Sequence, residues 1–439
     1  MNRLGLVALS CAVLTFGAAR SVSAAPEPTV VTLKNGLRVL LAPDSTALAA
    51  EVAVWYPAGP RWESQGLSGV SHLSTRLMYR GSAHVPDGAH LRQLVAEGAS
   101  VNSTNSPDGT CFWQTLPAEA VPLALRLEAD RMAGLVTTPA AFEAARTDAR
   151  IDRRMRAEIS PVARGLSRLI ATAFPGSGYG RPLYGDDAEL QRMNARDVDA
   201  WRRSHYAAGS AVLTVTGRFE PVATLAYVRS LFEALPKGSA PAAPREPAPP
   251  ASERRGWARG ATPLRLAFAG WRGPGATDPD APAVEVMAAA LGAEGSQFQG
   301  SLVDEWKVAV LTQARAEINR DASLLWVVAA LPAEADSSTA ERVMLDEVGR
   351  LAREPLADDV FGRVRARLLT DAMFGTQTVH ARAMALGESC FESGDPGAAA
   401  RRVAALDKLT PSDVQRVAKR IVTESGRSVY WYVPAGEGR

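Results

Sequence analysis

Three residues spaced within about one helical turn, His72, Thr75 and Arg76, carry the types that bear most directly on metal-dependent chemistry. Residues 66–79 read as a helix, opened by Gly and Ser and closed by Gly81. Positions i and i+4 share a helix face, so His72 and Arg76 point the same way. An imidazole there can hold a metal ion. A guanidinium cannot: it stays protonated, has no lone pair and repels a cation directly. Thr75 offers no base near neutral pH, where a positioned base is typically worth about 10²–10⁴ in rate. His72 is equally readable as an ordinary, partly buried helix histidine. His84, His90, His205 and His380 have no ligand-like spacing to one another and are assigned nothing.

The elements that must position these residues follow from apolar periodicity and turn chemistry. Residues 29–41 read as two strands around the Asn35-Gly36 turn, and 51–56 as a further strand. Residues 101–116 read as polar strands, 118–132 as an amphipathic helix and 142–158 as a highly charged helix. That charged run is also consistent with nothing more than a solvated face. A strand at 211–216 and a helix at 222–235 close this part. The remainder repeats the order: strand 265–270, helix 281–291, strand 324–330, helices 340–353 and 357–373, and strand 429–433. Residues 236–255, PKGSAPAAPREPAPPASERR, hold six prolines and read as an extended, semi-rigid linker. The expectation is an α+β fold of two similar halves, 25–235 and 256–439, whose duplication rests on element order alone.

Composition excludes several function classes. At 439 residues the chain is too long for one ordinary core and fits two domains of about 200 residues. Lys+Arg number 49 against 47 Asp+Glu, so no strong field points to nucleic acid or an anionic membrane. Residues 1–24 read as a signal peptide: Arg3, an apolar run Leu4 to Phe16, and a small-x-small site at Val22-Ser23-Ala24. The mature chain then starts at Ala25, exported to the periplasm or secreted. Beyond that leader only Cys111 and Cys390 remain, too few for a disulfide framework, and they are expected to be buried free thiols.

The segment from Gly69 to Ser82, GVSHLSTRLMYRGS, resembles the inverted zinc motif of the pitrilysin/insulinase (M16) zinc metallopeptidase family, G-L-A-H-F-L-E-H-M-L-F-K-G-T. In that motif two histidines at i and i+4 grip zinc, and the intervening Glu takes a proton from the metal-bound water. The resemblance puts Thr75 at the base position and Arg76 at the second histidine, with His72 retained. The family's assisting Glu and third ligand, on a later helix, fall at Ala145 and Asp152. Glu97 to Phe112 is similar to the family's G-A-x-x-N-A-x-T…D-x-T-x-Y stretch, whose edge strand pairs with the substrate backbone; this implies substrate-binding roles for Gly98, Ala99, Asn102 and Thr104. Glu128 to Met132 matches E-A-D-R-M, and Tyr179 to Pro182 with Gly185 matches Y-G-R-P…G. Where the family carries an Arg and a Tyr in the second half, this chain has Val303 and Ala309. Gly292, Gly295 and Gly300 are similar to a glycine-rich loop of non-catalytic family subunits.

The resemblance implies a mitochondrial-processing-peptidase-like fold and a catalytically degenerate member, with no catalytic residue and no metal of its own. Such a chain would bind extended peptides and pair, as a heterodimer, with an active peptidase subunit that supplies the zinc. Arg76 is expected to pair with Asp152 or a neighbouring carboxylate where zinc would sit. Two alternatives stand beside this: an active zinc metalloendopeptidase with unusual ligands, and a stand-alone peptide-binding or scaffold protein of the cell envelope.

Overall fold

The computed structural model describes residues 27–158, 160–238, 242, 244 and 246–436; the signal-peptide reading of residues 1–24 lies outside them. Eleven strands among these residues form two sheets. The first contains β1 (Thr29–Thr32), β2 (Arg38–Pro43), β3 (Ala50–Tyr56), β4 (Ser100–Asn105), β5 (Thr110–Leu116) and β6 (Val212–Gly217), in the order β1-β2-β6-β3-β5-β4. The second contains β7 (Arg254–Gly260), β8 (Arg265–Pro274), β9 (Leu311–Ile318), β10 (Ala322–Leu331) and β11 (Arg427–Pro434), in the order β7-β11-β8-β10-β9.

The two orders superimpose. β2 runs parallel to β6 as β7 does to β11, and every other pair along the two series is antiparallel. The duplication suggested by element order is therefore a duplication of topology, with β1 the single addition. It also places β4 and β9 as matching free edges. The helices α1 (Val70–Leu77), α2 (Ala89–Ala96), α3 (Val121–Ala133) and α4 (Pro139–Arg153) belong to the first half, and their second-half counterparts include helices Ala281–Gly292 and Asp358–Phe374.

The central strands are buried on both faces, which requires a cover on each side. In the first sheet Val52, Val54 and Tyr56 of β3 face the core beneath α1 and α3, while Ala53 and Trp55 face the other way. That second face is covered by helix Val379–Ser393, through Cys390 and Phe391, which comes from the far end of the chain. Reciprocally, α5 (Pro161–Ala173) leaves the first half and packs Leu169 and Ala173 on Phe268, Trp326 and Tyr430 of the second sheet. Each half thus lends the other a helix. Each lent helix also carries a glycine where it meets an aromatic on the equivalent strand. A Cβ on Gly165 would stand 2.2 Å from Phe268 of β8, and one on Gly387 would stand 2.4 Å from Trp55 of β3. Cys111 and Cys390 are free and buried at this packing.

A polar knot ties the halves together. Arg61 donates to Asp108 Oδ1 (2.9 Å), to the Tyr179 hydroxyl (3.0 Å) and to the Pro244 carbonyl (3.1 Å), and pairs with Asp321 of the β9–β10 turn. Tyr179 donates to Asp108 Oδ1 (2.7 Å), and the Arg320 amide donates to Asp108 Oδ2 (2.9 Å). Residues 246–248 of the proline-rich segment are held: Arg272 grips Glu246 (2.5 Å), the Pro247 carbonyl (2.9 Å) and the Ala248 carbonyl (3.3 Å). Its last residues, Arg254 and Arg255, already belong to β7, because their backbones pair with Ser428 and Val429 of β11.

Two sequence expectations change. The charged helix 142–158 is regular only to Arg153 and continues as a wider turn over Arg154–Glu158. Of the glycines at 292, 295 and 300, only Gly295 lies in an open turn, exposed at φ +67. Gly292 ends helix Ala281–Gly292 against the Ala314 carbonyl, and Gly300 opens the wide helical turn Gly300–Glu305.

Candidate functional site

α1 is the element that carries His72, Thr75 and Arg76, and its start is fixed by a buried carboxylate. Glu63 accepts from the amides of Gly69 (2.9 Å) and Ser71 (3.1 Å), satisfying donors that a helix N-terminus leaves open. Gly69 sits at φ +95, and Gly185 approaches it so closely that a Cβ on Gly185 would fall 2.4 Å from Gly69 Cα. That backbone contact lays the loop around Tyr184 over α1. The Tyr184 ring meets His72 edge-on at 5.2 Å. α4 packs beside α1 and brings Asp152 to the same point.

Asp152 is the centre of the cluster. Its Oδ2 pairs with Arg76, and its Oδ1 accepts from Nε of Arg156 at 2.7 Å. The expected pairing of Arg76 with Asp152 is present. His72 Nε2 lies 3.4 Å from Asp152 Oδ2 without forming a hydrogen bond, and neither buried ring nitrogen makes a hydrogen bond of good geometry. Burial, then the charge of Arg76, push the His72 pKa down to about 4 against the opposing pull of Asp152, with Arg156 adding to the depression, so the imidazole is neutral at pH 7. Burial also works against the Asp152 carboxylate, but its bonds to Arg156 and Arg76 outweigh that and hold it below the usual range.

The base position is sealed. Thr75 Oγ donates to the Ser71 carbonyl (3.0 Å) and accepts from Nδ2 of Asn105 (2.9 Å). Ala145, where the family has its assisting Glu, is fully buried in the first core and brings no polar atom. Zinc therefore does not fit these residues. Both Asp152 oxygens are taken by arginines, Thr75 is engaged, and His72 alone keeps free lone pairs, against three protein ligands in a typical catalytic zinc site. Among the described residues no group of three or more His, Cys, Asp or Glu could hold a metal ion.

β4 runs beside this cluster as the free edge of its sheet. Gly98, at φ +78, and Ala99 turn the chain out of α2, their backbone N–H groups donating to the Val95 and Leu94 carbonyls. Asn102 and Thr104 are exposed on one face of β4, while Asn105 turns the other way to reach Thr75. So Asn102 and Thr104 are not brought to α1; Asn105 at the strand's end is, through Thr75. Asn105, Arg156 and Tyr184 are members that the sequence left unassigned. Arg156 had one legible signal, its place one helical turn after Asp152. Val303 is half-buried in the turn Gly300–Glu305, and Ala309 is buried; neither meets the His72 cluster.

Comparison with known proteins agrees with this geometry. A family model described as insulinase (peptidase family M16) matches residues 38–187, and one described as peptidase M16 inactive domain matches residues 192–368. A probable mitochondrial-processing peptidase subunit beta of Arabidopsis thaliana is 26% identical over 418 residues, covering 91% of this chain and 77% of that protein. A zinc protease, PqqE, of Helicobacter pylori is 25% identical over 312 residues, covering 69% of this chain and 70% of that protein. The crystal structure of a protease from Helicobacter pylori superimposes with a TM-score of 0.86 at 20% identity, covering 93% of this chain and all of that one. With both sheets, the α1–α4 pairing and the two family matches in agreement, this chain belongs to the insulinase family of peptidases, M16.

Proposed function

We propose that the chain is a non-catalytic M16 subunit that binds extended peptides along β4 and pairs with an active, zinc-bearing peptidase of the family. The observation that carries this is the Arg76–Asp152 ion pair, formed between two positions that the resemblance gives to zinc ligands of the family. A guanidinium cannot be titrated away or displaced into a ligand role, so the substitution is chemical rather than a matter of occupancy. A free sheet edge next to the cluster supplies unpaired backbone groups to which a peptide strand can add. The pairing is supported by the relative named as a processing-peptidase subunit beta. The partner's site would hold the zinc, and the pair would work in the periplasm or outside the cell.

The test is co-expression of this chain with an active M16 relative from the same source. The expected result is a co-purifying complex whose chelator-sensitive cleavage of unstructured peptides exceeds that of the relative alone, while this chain by itself holds less than about 0.1 zinc per molecule. A strictly monomeric chain that improves no peptidase would remove the subunit reading. Stoichiometric zinc with chelator-sensitive cleavage by the isolated chain would return it to the active peptidases.

A further inference from the structure

The cluster that cannot hold zinc is a candidate for the opposite charge. Arg76 and Arg156 share the single carboxylate of Asp152, and no other ion pair involves either arginine among the described residues. With a neutral His72 the cluster therefore carries a surplus positive charge. The arginines are not sealed: the Arg76 side chain is 32% exposed and that of Arg156 is 59% exposed. Arg156 bonds Asp152 through its Nε and also interacts with the Tyr184 side chain, whose ring centre lies 5.9 Å from the guanidinium carbon.

A second, independent observation points to a ligand. His72, 1% exposed, has a backbone contact at Ala149 but no hydrogen bond of good geometry from either ring nitrogen, and Nε of Arg76 is a buried donor without an acceptor. Buried polar atoms normally find partners, and leaving one unpaired costs about 1–3 kcal/mol. The orphans belong to the two α1 residues that face the same Asp152 oxygen, and Asn105 at the end of β4 touches α1 through Thr75 between them in sequence. The Arg131–Glu128 pair in the first core offers a contrast in access: it too leaves a donor, Nη1 of Arg131, without an acceptor, but its side chains are 1% and 0% exposed and nothing there is open to solvent.

We propose that Arg76, Arg156, His72 and Tyr184 form a site for the free C-terminal carboxylate of an extended peptide laid along β4. This rests on the reading of β4 as a peptide-binding edge. A strand added to that edge brings its main chain, not only its side chains, past α1, so the group best placed to meet the guanidinium groups is one that ends the main chain. Planar guanidinium donors match a carboxylate in two-point geometry, which an amide or ester terminus cannot reproduce. An active family member meets a peptide carbonyl in mid-chain with a cation it binds; here the protein's own cations would meet a chain end.

The test uses the full-length mature chain and fluorescence anisotropy with an N-terminally labelled, uncharged decapeptide of strand-forming residues. Three versions are compared: free acid, C-terminal amide, and amide with one internal Asp. The free acid should bind about tenfold or more tightly than either amide. That gap should vanish in Arg76→Met and shrink in Arg156→Gln, the second serving if the first disturbs folding by circular dichroism. Equal binding of acid and plain amide, or a gap that survives both variants, overturns the carboxylate site while leaving peptide binding intact. Binding of the internal-Asp amide as tight as the acid overturns the chain-end reading. No binding by any version overturns this site and the peptide-binding reading together.

Discussion

Two of the arginine–aspartate clusters among the described residues have been put to different uses. Around Arg61, 3% exposed in its side chain, both outer guanidinium nitrogens and both Asp108 oxygens are matched by protein groups from both halves and the proline-rich segment. Around Arg76 the pair is half-open, shared with a second arginine, and bordered by the His72 ring. The same two residue types thus build a structural rivet in one place and an unfinished polar pocket in the other. What separates them is access, not charge. The buried cluster, joined to both halves, is explained by folding alone; the partly exposed one keeps guanidinium surface that a ligand can reach.

The comparison can be broken by mutation, and the largest effect should fall on the rivet. Arg61→Met leaves Asp108 buried and uncompensated, and should cost about 3–5 kcal/mol in denaturant unfolding. A loss under 1 kcal/mol would show that the knot is incidental. The lent helices come next. Gly387→Val drives a side chain into Trp55, and Gly165→Val one into Phe268. Each should lower stability by about 1–3 kcal/mol by thermal melting, and a neutral result for both would mean that the helices do not sit where described.

The pH dependence of His72 is expected to be smaller. Its folded pKa of about 4 lies below the unfolded value of 6.5, so between those values the unfolded chain binds a proton that the native chain does not. Stability contributed by the neutral imidazole is therefore complete above pH 6.5 and lost as pH falls toward 4. Relative to wild type, His72→Gln should flatten this acid-side loss by on the order of 1 kcal/mol. An unchanged pH profile would argue that His72 is not buried neutral. Smallest of all should be Arg76→Met. Its partner Asp152 keeps Arg156, and a partly exposed pair is worth about 0–1 kcal/mol, so unfolding should barely move while the acid-over-amide preference disappears.

Much of this was legible beforehand, and the reasons for the misses are physical. β2, β3, β6, β8 and β10 announce themselves as β-branched and apolar runs, because a strand buried on both faces has no polar alternation to hide it. His72, Arg76 and Asp152 were brought together by helical spacing and family register, and they do meet. The ownership of α5 and of helix Val379–Ser393 was not readable. An amphipathic stripe says that a helix needs a sheet but not which sheet, and the two sheets here are topological copies. Arg61 sits in a three-residue turn, Pro60–Trp62, with no periodicity to mark it. Tyr184 reaches His72 through a glycine–glycine contact that no local pattern encodes.

The lent helices carry a consequence for how the molecule is made. While the ribosome is still translating the second sheet, the emerged first sheet has one apolar face bare, since its cover is encoded by residues 379–393. The nascent chain must therefore hold a sticky, half-clad sheet from the completion of β6 at Gly217 until residues 379–393 are made, about two-fifths of its synthesis, and no cut between the sheets would release two self-sufficient products. What reads in the gene as two consecutive units is, in the cell, a single all-or-nothing folding event completed at its far end.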